Sequence, residues 1–422
     1  MGLRWVLLKV GIAAGIAAAL FVAFTLAVFL VFLIPNEPIA KNLTRSLDAI
    51  DDTYTVNGRV VDANTECIGL SIGLYEDPAH EEQSRFWKSV NATSLYGCRP
   101  FIAWAVDGKA AESRDYFRYW HGYLLIFRPL MAGLPYHDVR GIIFCLSVVL
   151  TGWFLTRTGH DFGFKVGLAF ALPLLFLNVL GLITVVTKTV TWWLVVGGAI
   201  WLSRPSAPNK KTVPVLRFFV LGCLTAFFDY LTLPMLVLTV PFLIYGLYAL
   251  RSSSSMIQQK PFLAFAFATA AFGMGWIGLW ASKILLAAFV IGPEAISNAL
   301  SAAAFRLRGD SPSVDSFIPG QAILTNIAFL KVLWMPLTLI TFVMLPFLKR
   351  RGRTEARRLW QGGTALLLGA GLPILFLEVA SNHSQIHAAF THMNFYPALV
   401  LLGLVLFREV EPVLTDGSHP SS

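Results

Sequence analysis

The chain has 422 residues, of which 56% are hydrophobic and 14% charged, with 33 phenylalanines and a net charge of +9. That composition excludes a soluble multidomain protein, because most of its apolar runs approach the length needed to cross a bilayer. It also excludes a nucleic-acid partner: the basic residues are strewn over short loops between apolar runs and form no aromatic-studded patch.

The first run, residues 10–35, follows Arg4 and Lys9 in the manner of a signal peptide. At about 25 apolar residues with no clear cleavage site, it is expected to stay as a first transmembrane helix. Residues 36–138 are the only segment large enough to fold outside the membrane, and they carry a large share of the acidic residues. Within them "KNLTRSLDAIDDTYTVNGRVV" predicts a helix, a turn at Asn57-Gly58 and a short extended piece. Cys67 and Cys98 lie in this segment, where an oxidising compartment would let them form a disulfide, whereas Cys145 and Cys223 sit inert in apolar runs. The stretch "SRDYFRYWHGYLLIFRPLM", residues 113–131, is too short to cross before the polar break "PYHDVR". It predicts an amphipathic helix on the outer interface, anchored by Tyr119, Trp120 and Tyr123, with Asp115 and His121 as its polar chemistry.

Further runs lie near 139–157, 165–184, 191–203, 213–228, 233–250, 261–291, 322–348, 359–379 and 395–408. With the N-terminus inside, the inner side carries 16 Lys and Arg, including those of "KRRGRTEARR", and the short outer loops carry three: Lys188, Arg306 and Arg308. The positive-inside rule then puts both termini in the cytoplasm, with residues 409–422 as a tail. The expected fold is an all-α polytopic membrane protein of about 10 transmembrane helices, with a large extracytoplasmic loop after the first and a multi-span domain over 139–408.

Sorted by side, the chemically versatile residues gather outside. Asp229 in "TAFFDYLTLPML" stands where one span emerges and the next begins; it is either a helix cap or a functional carboxylate. Lys283, Lys331 and Glu378 lie within apolar runs, about 13 Å or less from the outer surface, and must pair or line a cavity. In "NHSQIHAAFTHMNFYP", His383 and His387 share a helix face, but Ser384 stands where a zinc helix carries its glutamate, and no metal ligand is assigned. With Asn382 and His392 they suit a polyol or a phosphate. The sequons at Asn42, Asn91 and Asn382 would matter only in a eukaryotic secretory route.

A retained first helix, an acidic outer loop, interfacial helices and many spans with outward basic residues resemble the GT-C class of membrane glycosyltransferases. More narrowly, "DANTECI", "YFRYWHGY" with "RPL", "FFDYLTLP" and "NHSQIHAAFTH" are similar to a group of bacterial polytopic proteins found with envelope-polysaccharide genes. The resemblance implies the bacterial cytoplasmic (inner) membrane, a polyprenyl-phosphate-linked sugar donor, a glycan or glycolipid acceptor, and inverting transfer on the outer face. It implies Asp62 or Glu66 as base, and no certain cofactor, with a divalent cation as an optional one. Lys188, Arg306, Arg308 and Lys283 are then the cations for phosphate, and Asn382, His383 and His387 bind phosphate or sugar. Asp115, Tyr119, Trp120, His121 and Asp229 complete the expected substrate contacts. GT-C enzymes place their acidic pair nearer the first span, where this chain offers only Glu37. A multi-span transporter or flippase, or an envelope polymerase or ligase, are the competing readings. Transporters carry repeated halves with midplane sites, and polymerases carry a late large loop.

Overall fold

The computed structural model describes residues 3–46, 55–56, 59–60, 63–75, 77–108, 112–177, 179–203, 212–229, 231–251, 255–308, 318–330 and 353–407. These form an all-α protein whose only strands, among the described residues, are two two-stranded antiparallel ribbons. Four helical stretches are long and apolar enough to cross a membrane: Leu8–Phe32, Tyr136–Phe162, Pro261–Val290 and Ala388–Leu406. Their large exposed side chains, among them Leu30, Val149, Trp153, Ile277 and Phe289, point away from the core. Surfaces of that kind are unfavourable in water and ordinary against lipid tails.

Helix α1 (Leu3–Phe32) leads into a domain set outside the helix bundle, and called outer in that sense, of α2 (Asn36–Thr44), α3 (Ala63–Leu74), α4 (Arg85–Asn91), α5 (Cys98–Asp107) and α6 (Leu124–Gly133). Strands β1 (Thr55–Val56) and β2 (Arg59–Val60) pair with Val56 opposite Arg59, on either side of the Asn57-Gly58 dipeptide that predicted the turn. Strand β3 (Ser94–Leu95) pairs with β4 (Ser113–Arg114). Cys67 and Cys98 form the expected disulfide and tie α3 to α5. Arg128, fully buried, donates to the carbonyls of Val31, Ile34 and Gly73 and to the side chain of Asn36. A guanidinium there satisfies the carbonyls that the ends of α1 and α3 leave open and complements both helix dipoles.

The stretch 113–131 departs from its expected single helix. Helix begins only at Leu124, and His121 has φ +58, outside the helical region. Tyr119, Trp120 and Tyr123 are buried rather than interfacial, and the Trp120 indole, among Phe21, Phe24 and Phe227, donates to the Leu279 carbonyl. Hydrogen bonds to neighbouring elements, unavailable at a bilayer surface, hold this segment inside the protein.

The remaining chain forms a bundle: α7 (Tyr136–Phe162), α8 (Phe164–Phe176), α9 (Val179–Ile183), α10 (Val186–Leu202), α11 (Val215–Phe228), α12 (Pro234–Leu250), α13 (Met256–Gln259), α14 (Pro261–Val290), α15 (Glu294–Arg308), α16 (Gln321–Ala328), α17 (Arg353–Val379), α18 (Ser381–Ile386), α19 (Ala388–Thr391) and α20 (Tyr396–Leu406). Helices α8, α10, α11 and α12 are apolar but shorter than a bilayer-spanning helix; α16 lies at the start of the run at 322–348, of which residues 331–348 lie outside the described residues. At one end of the bundle Tyr248 and Arg251 bond to Asp161, joining α12 to α7. At the other end the outer domain docks, through Gly122 onto the Phe227 carbonyl and Lys283 onto the Val90 carbonyl.

Candidate functional site

Of the residues singled out for substrate chemistry and described by the structure, all but Asp115 lie at the end where the outer domain docks. Glu66 of α3 prepares the place. One carboxylate oxygen accepts from the Tyr136 hydroxyl and the Val186 amide at 2.9 Å; the other accepts from the Thr187 amide at 3.3 Å and hydroxyl at 2.8 Å. These donors include the open amides of the first turn of α10, where the helix dipole favours an anion. Lys188, in that same turn and buried, lies 3.9 Å over the Phe390 ring. An ammonium at a helix start is opposed by the dipole, so Glu66 and the ring face offset that cost.

The turn between α11 and α12 adds Asp229, which is buried. Its Oδ1 accepts from the Thr191 hydroxyl at 2.7 Å and the amides of Thr232 at 3.0 Å and Leu233 at 3.3 Å, so it closes the turn before α12, whose start has Leu233 as its cap residue and no side-chain cap. Its Oδ2 is buried with no partner. Burial pushes the carboxyl up to about 6, against the pull of those hydrogen bonds. Two residues on, Leu231 takes φ +71, a strained conformation for a branched side chain, and its carbonyl faces His383 Nε2 at 2.7 Å. The His383 ring is 4.6 Å from that of His387, and both rings contact Phe390.

The loop before α6 closes the other side. His121 Nε2 faces the Tyr116 carbonyl at 2.9 Å, which makes it the protonated nitrogen, and Nδ1 is a buried acceptor with no partner. Burial pushes this imidazole down to about 3, with Lys283 and Arg118 adding to the effect and the Tyr116 bond opposing it. Tyr119 lies among Tyr116, tilted against it, His121, edge-on to it, and the Arg306 guanidinium, which is 5.6 Å from its ring. Next to Arg306, Asn382 donates to the Phe305 carbonyl at 2.8 Å while its Oδ1 is buried without a partner.

Lys188, Asp229, Tyr119, His121, Arg306, Asn382, His383 and His387 are therefore linked side by side at one end of the bundle. Trp120 belongs to the packing beneath them. Asp115 stands apart on the surface, accepting from Asn91 at 2.7 Å. Asp62, Lys331 and the side chain of Arg308 lie outside the described residues. Lys283 and Glu378 bond separately, to the Val90 carbonyl and to the amides of Gly320 and Ile323. His392 faces the carbonyls of Ala388 and Leu177, a brace between α19 and the end of α8. The asparagines of the three sequons are all buried. No group of three His, Cys, Asp or Glu suited to a metal occurs among the described residues.

Phe390, the platform for Lys188, and Thr191, the partner of Asp229, did not stand out in the sequence; both sit in apolar runs where their types are unremarkable. Fold and site together define an all-α protein built to lie in a membrane, with polar chemistry concentrated under an outer domain. No known protein family, curated protein or solved structure matches the chain.

Proposed function

We propose that the chain is a GT-C-type glycosyltransferase of the bacterial inner membrane, with about 10 spans and both termini cytoplasmic. It moves a sugar from a polyprenyl-phosphate donor to an envelope glycan or glycolipid at the outer face. The observation that carries this reading is the gathering of Lys188 and Arg306 with three buried, unpartnered polar atoms: His121 Nδ1, Asp229 Oδ2 and Asn382 Oδ1. Buried atoms of this kind cost free energy unless a ligand or water meets them. They are sealed in this conformation, so substrate reaches them by displacing the loops that carry His121 and Leu231, both at strained positive φ.

In the reaction the acceptor hydroxyl oxygen bonds to the anomeric carbon as the bond from that carbon to the phosphate oxygen breaks. The phosphate leaves with the electron pair toward Lys188 and Arg306, and the hydroxyl proton passes to a carboxylate. Glu66 has both oxygens committed to four donors, and we assign it to fixing the start of α10 and hence Lys188. Asp229 Oδ2 is the base this geometry favours, with Asp62 tested beside it.

The test is mass spectrometry of envelope glycans from cells deleted for the gene and complemented with wild type, Asp229→Asn, Asp62→Asn or Glu66→Gln. A sugar lost on deletion and restored by wild type but not by Asp229→Asn supports the reading. Unchanged glycans beside an altered pool of lipid-linked precursors would replace it with transport.

A further inference from the structure

Helix α15 separates three environments. At 100° per residue, Ala295, Ala299 and Arg306 share one face. The two alanines pack against Phe117 and Val90 of the outer domain and Ile284 and Ala287 of α14. Ile296, Leu300 and Leu307 form a second face and are 40%, 60% and 44% exposed. They continue the exposed apolar surface of α14 that ends at Phe289, 90% exposed. The turn between the two helices is sharp: Gly292 has φ +146, and a Cβ there would lie 2.2 Å from the Glu294 carboxylate. Helix α15 thus turns away from α14 with its second, apolar face exposed.

The third face carries Glu294, Ser297, Asn298 and Ser301, at helical spacings of three and four. With Asp115 and Phe117 across from it, this face lines an open cavity of about 530 Å³. The lining offers two carboxylates, an amide and two hydroxyls. The guanidinium of Arg118 is engaged with the lining residue Asn298 at 3.0 Å and lies over the Tyr116 ring. A phosphate is disfavoured there by the carboxylates, whereas vicinal hydroxyls find acceptors in Glu294 and Asp115 and a donor in the Asn298 amide, beside the groups already bonded to Asn91, Arg118 and the Glu294 carbonyl. Arg306 donates to the carbonyl of Ala302 on the cavity wall and also meets Tyr119, so this space adjoins the cationic cluster.

We infer that the cavity between α15 and the outer domain binds a neutral polyhydroxylated group, the glycan end of the acceptor, apart from the phosphate-binding cations. The inference deepens the transferase reading and rests on it for the word acceptor; carbohydrate binding is tested independently of transfer. The measurement is saturation-transfer NMR on the full chain in lipid nanodiscs. The probes are the methyl glycosides of glucose, galactose, mannose and N-acetylglucosamine, compared with glucose 1-phosphate.

At least one neutral glycoside is expected to receive saturation more strongly than the phosphate ester. Asn298→Ala should weaken its Kd about five-fold, the value of one lost hydrogen bond. Ser301→Trp, which fills the cavity from an exposed position, should abolish binding, and Leu300→Ala on the exposed apolar face should leave it unchanged. Saturation of no neutral glycoside, stronger saturation of glucose 1-phosphate, or binding that survives Ser301→Trp overturns the inference. Binding that behaves as expected in a chain whose deletion leaves glycans unchanged would keep the carbohydrate site and remove the transferase.

Discussion

Glu66 and Asp229 are two buried carboxylates with opposite accounts. Glu66 receives four donors, so replacing it with Gln turns an acceptor into an amide N–H₂ facing donors. Glu66→Gln should cost about 1–3 kcal/mol, read as a lower thermal unfolding midpoint in detergent. A variant as stable as wild type would remove Glu66 from the support of α10. Asp229 has one satisfied oxygen and one bare one, and its carboxyl is raised to about 6. A raised carboxyl favours the folded state at low pH, and that advantage is lost as pH rises from its unfolded value near 4 through 6. Asp229→Asn should therefore lessen the drop in unfolding midpoint between pH 4 and pH 7. If Asp229 is also the base, it works only when ionised, and wild-type kcat/KM should fall tenfold per pH unit below about pH 6. An acid limb near pH 4 would assign the proton to an ordinary carboxylate instead.

At the scale of elements, the tightest crossing joins α11 to α14. A Cβ on Gly222 would lie 2.0 Å from the Phe272 carbonyl, and one on Gly275 would lie 2.2 Å from the Phe219 carbonyl. Backbone cannot step aside, so Gly222→Ala or Gly275→Ala should destabilise by about 1–3 kcal/mol or more. Gly278→Ala, which meets nothing within 4 Å, should be neutral or stabilising by up to about 1 kcal/mol. Unfolding midpoints of the three variants check the contrast, and equal effects would deny the close crossing. Such contacts explain what the sequence made legible. Apolar runs announced the helices of the bundle, and Asn57-Gly58 announced the ribbon of β1 and β2, because both are local signals. Residues 113–123 misled because their aromatic and charged residues carry an interfacial pattern, while the bonds that hold them come from Phe227 and Leu279, more than 100 residues away. Arg128 was hidden in the same way: its partners are carbonyls, which every residue has. The grouping of Lys188, Asp229, His121 and His383 followed from sorting loops by side, but their pairing did not, since Phe390 and Leu231 have no polar signature.

For the whole molecule, the proposed chemistry requires a single orientation in the membrane. A disulfide forms readily on an oxidising side, and sequence loops rich in lysine and arginine favour the cytoplasmic side. The proposed transferase places outward the end bearing Lys188, Asp229 and His383, on which the disulfide-bonded domain docks through Glu66 and Gly122. The expectation is tested in intact cells on a background of Cys145→Ala and Cys223→Ala, which leaves the disulfide in place. An impermeant maleimide should label Gln83→Cys, exposed in the outer domain, without permeabilisation. It should label Gln259→Cys, exposed before α14, only after the membrane is opened. The reverse pattern would put the cationic cluster on the cytoplasmic side, where polyprenyl-linked sugars are made rather than consumed, and the transferase reading would fail with the topology. The expected pattern leaves outward transport open, which is why labelling comes before the glycan measurement and does not replace it. Orientation fixes which side the chemistry serves, and only the product on that side identifies the reaction.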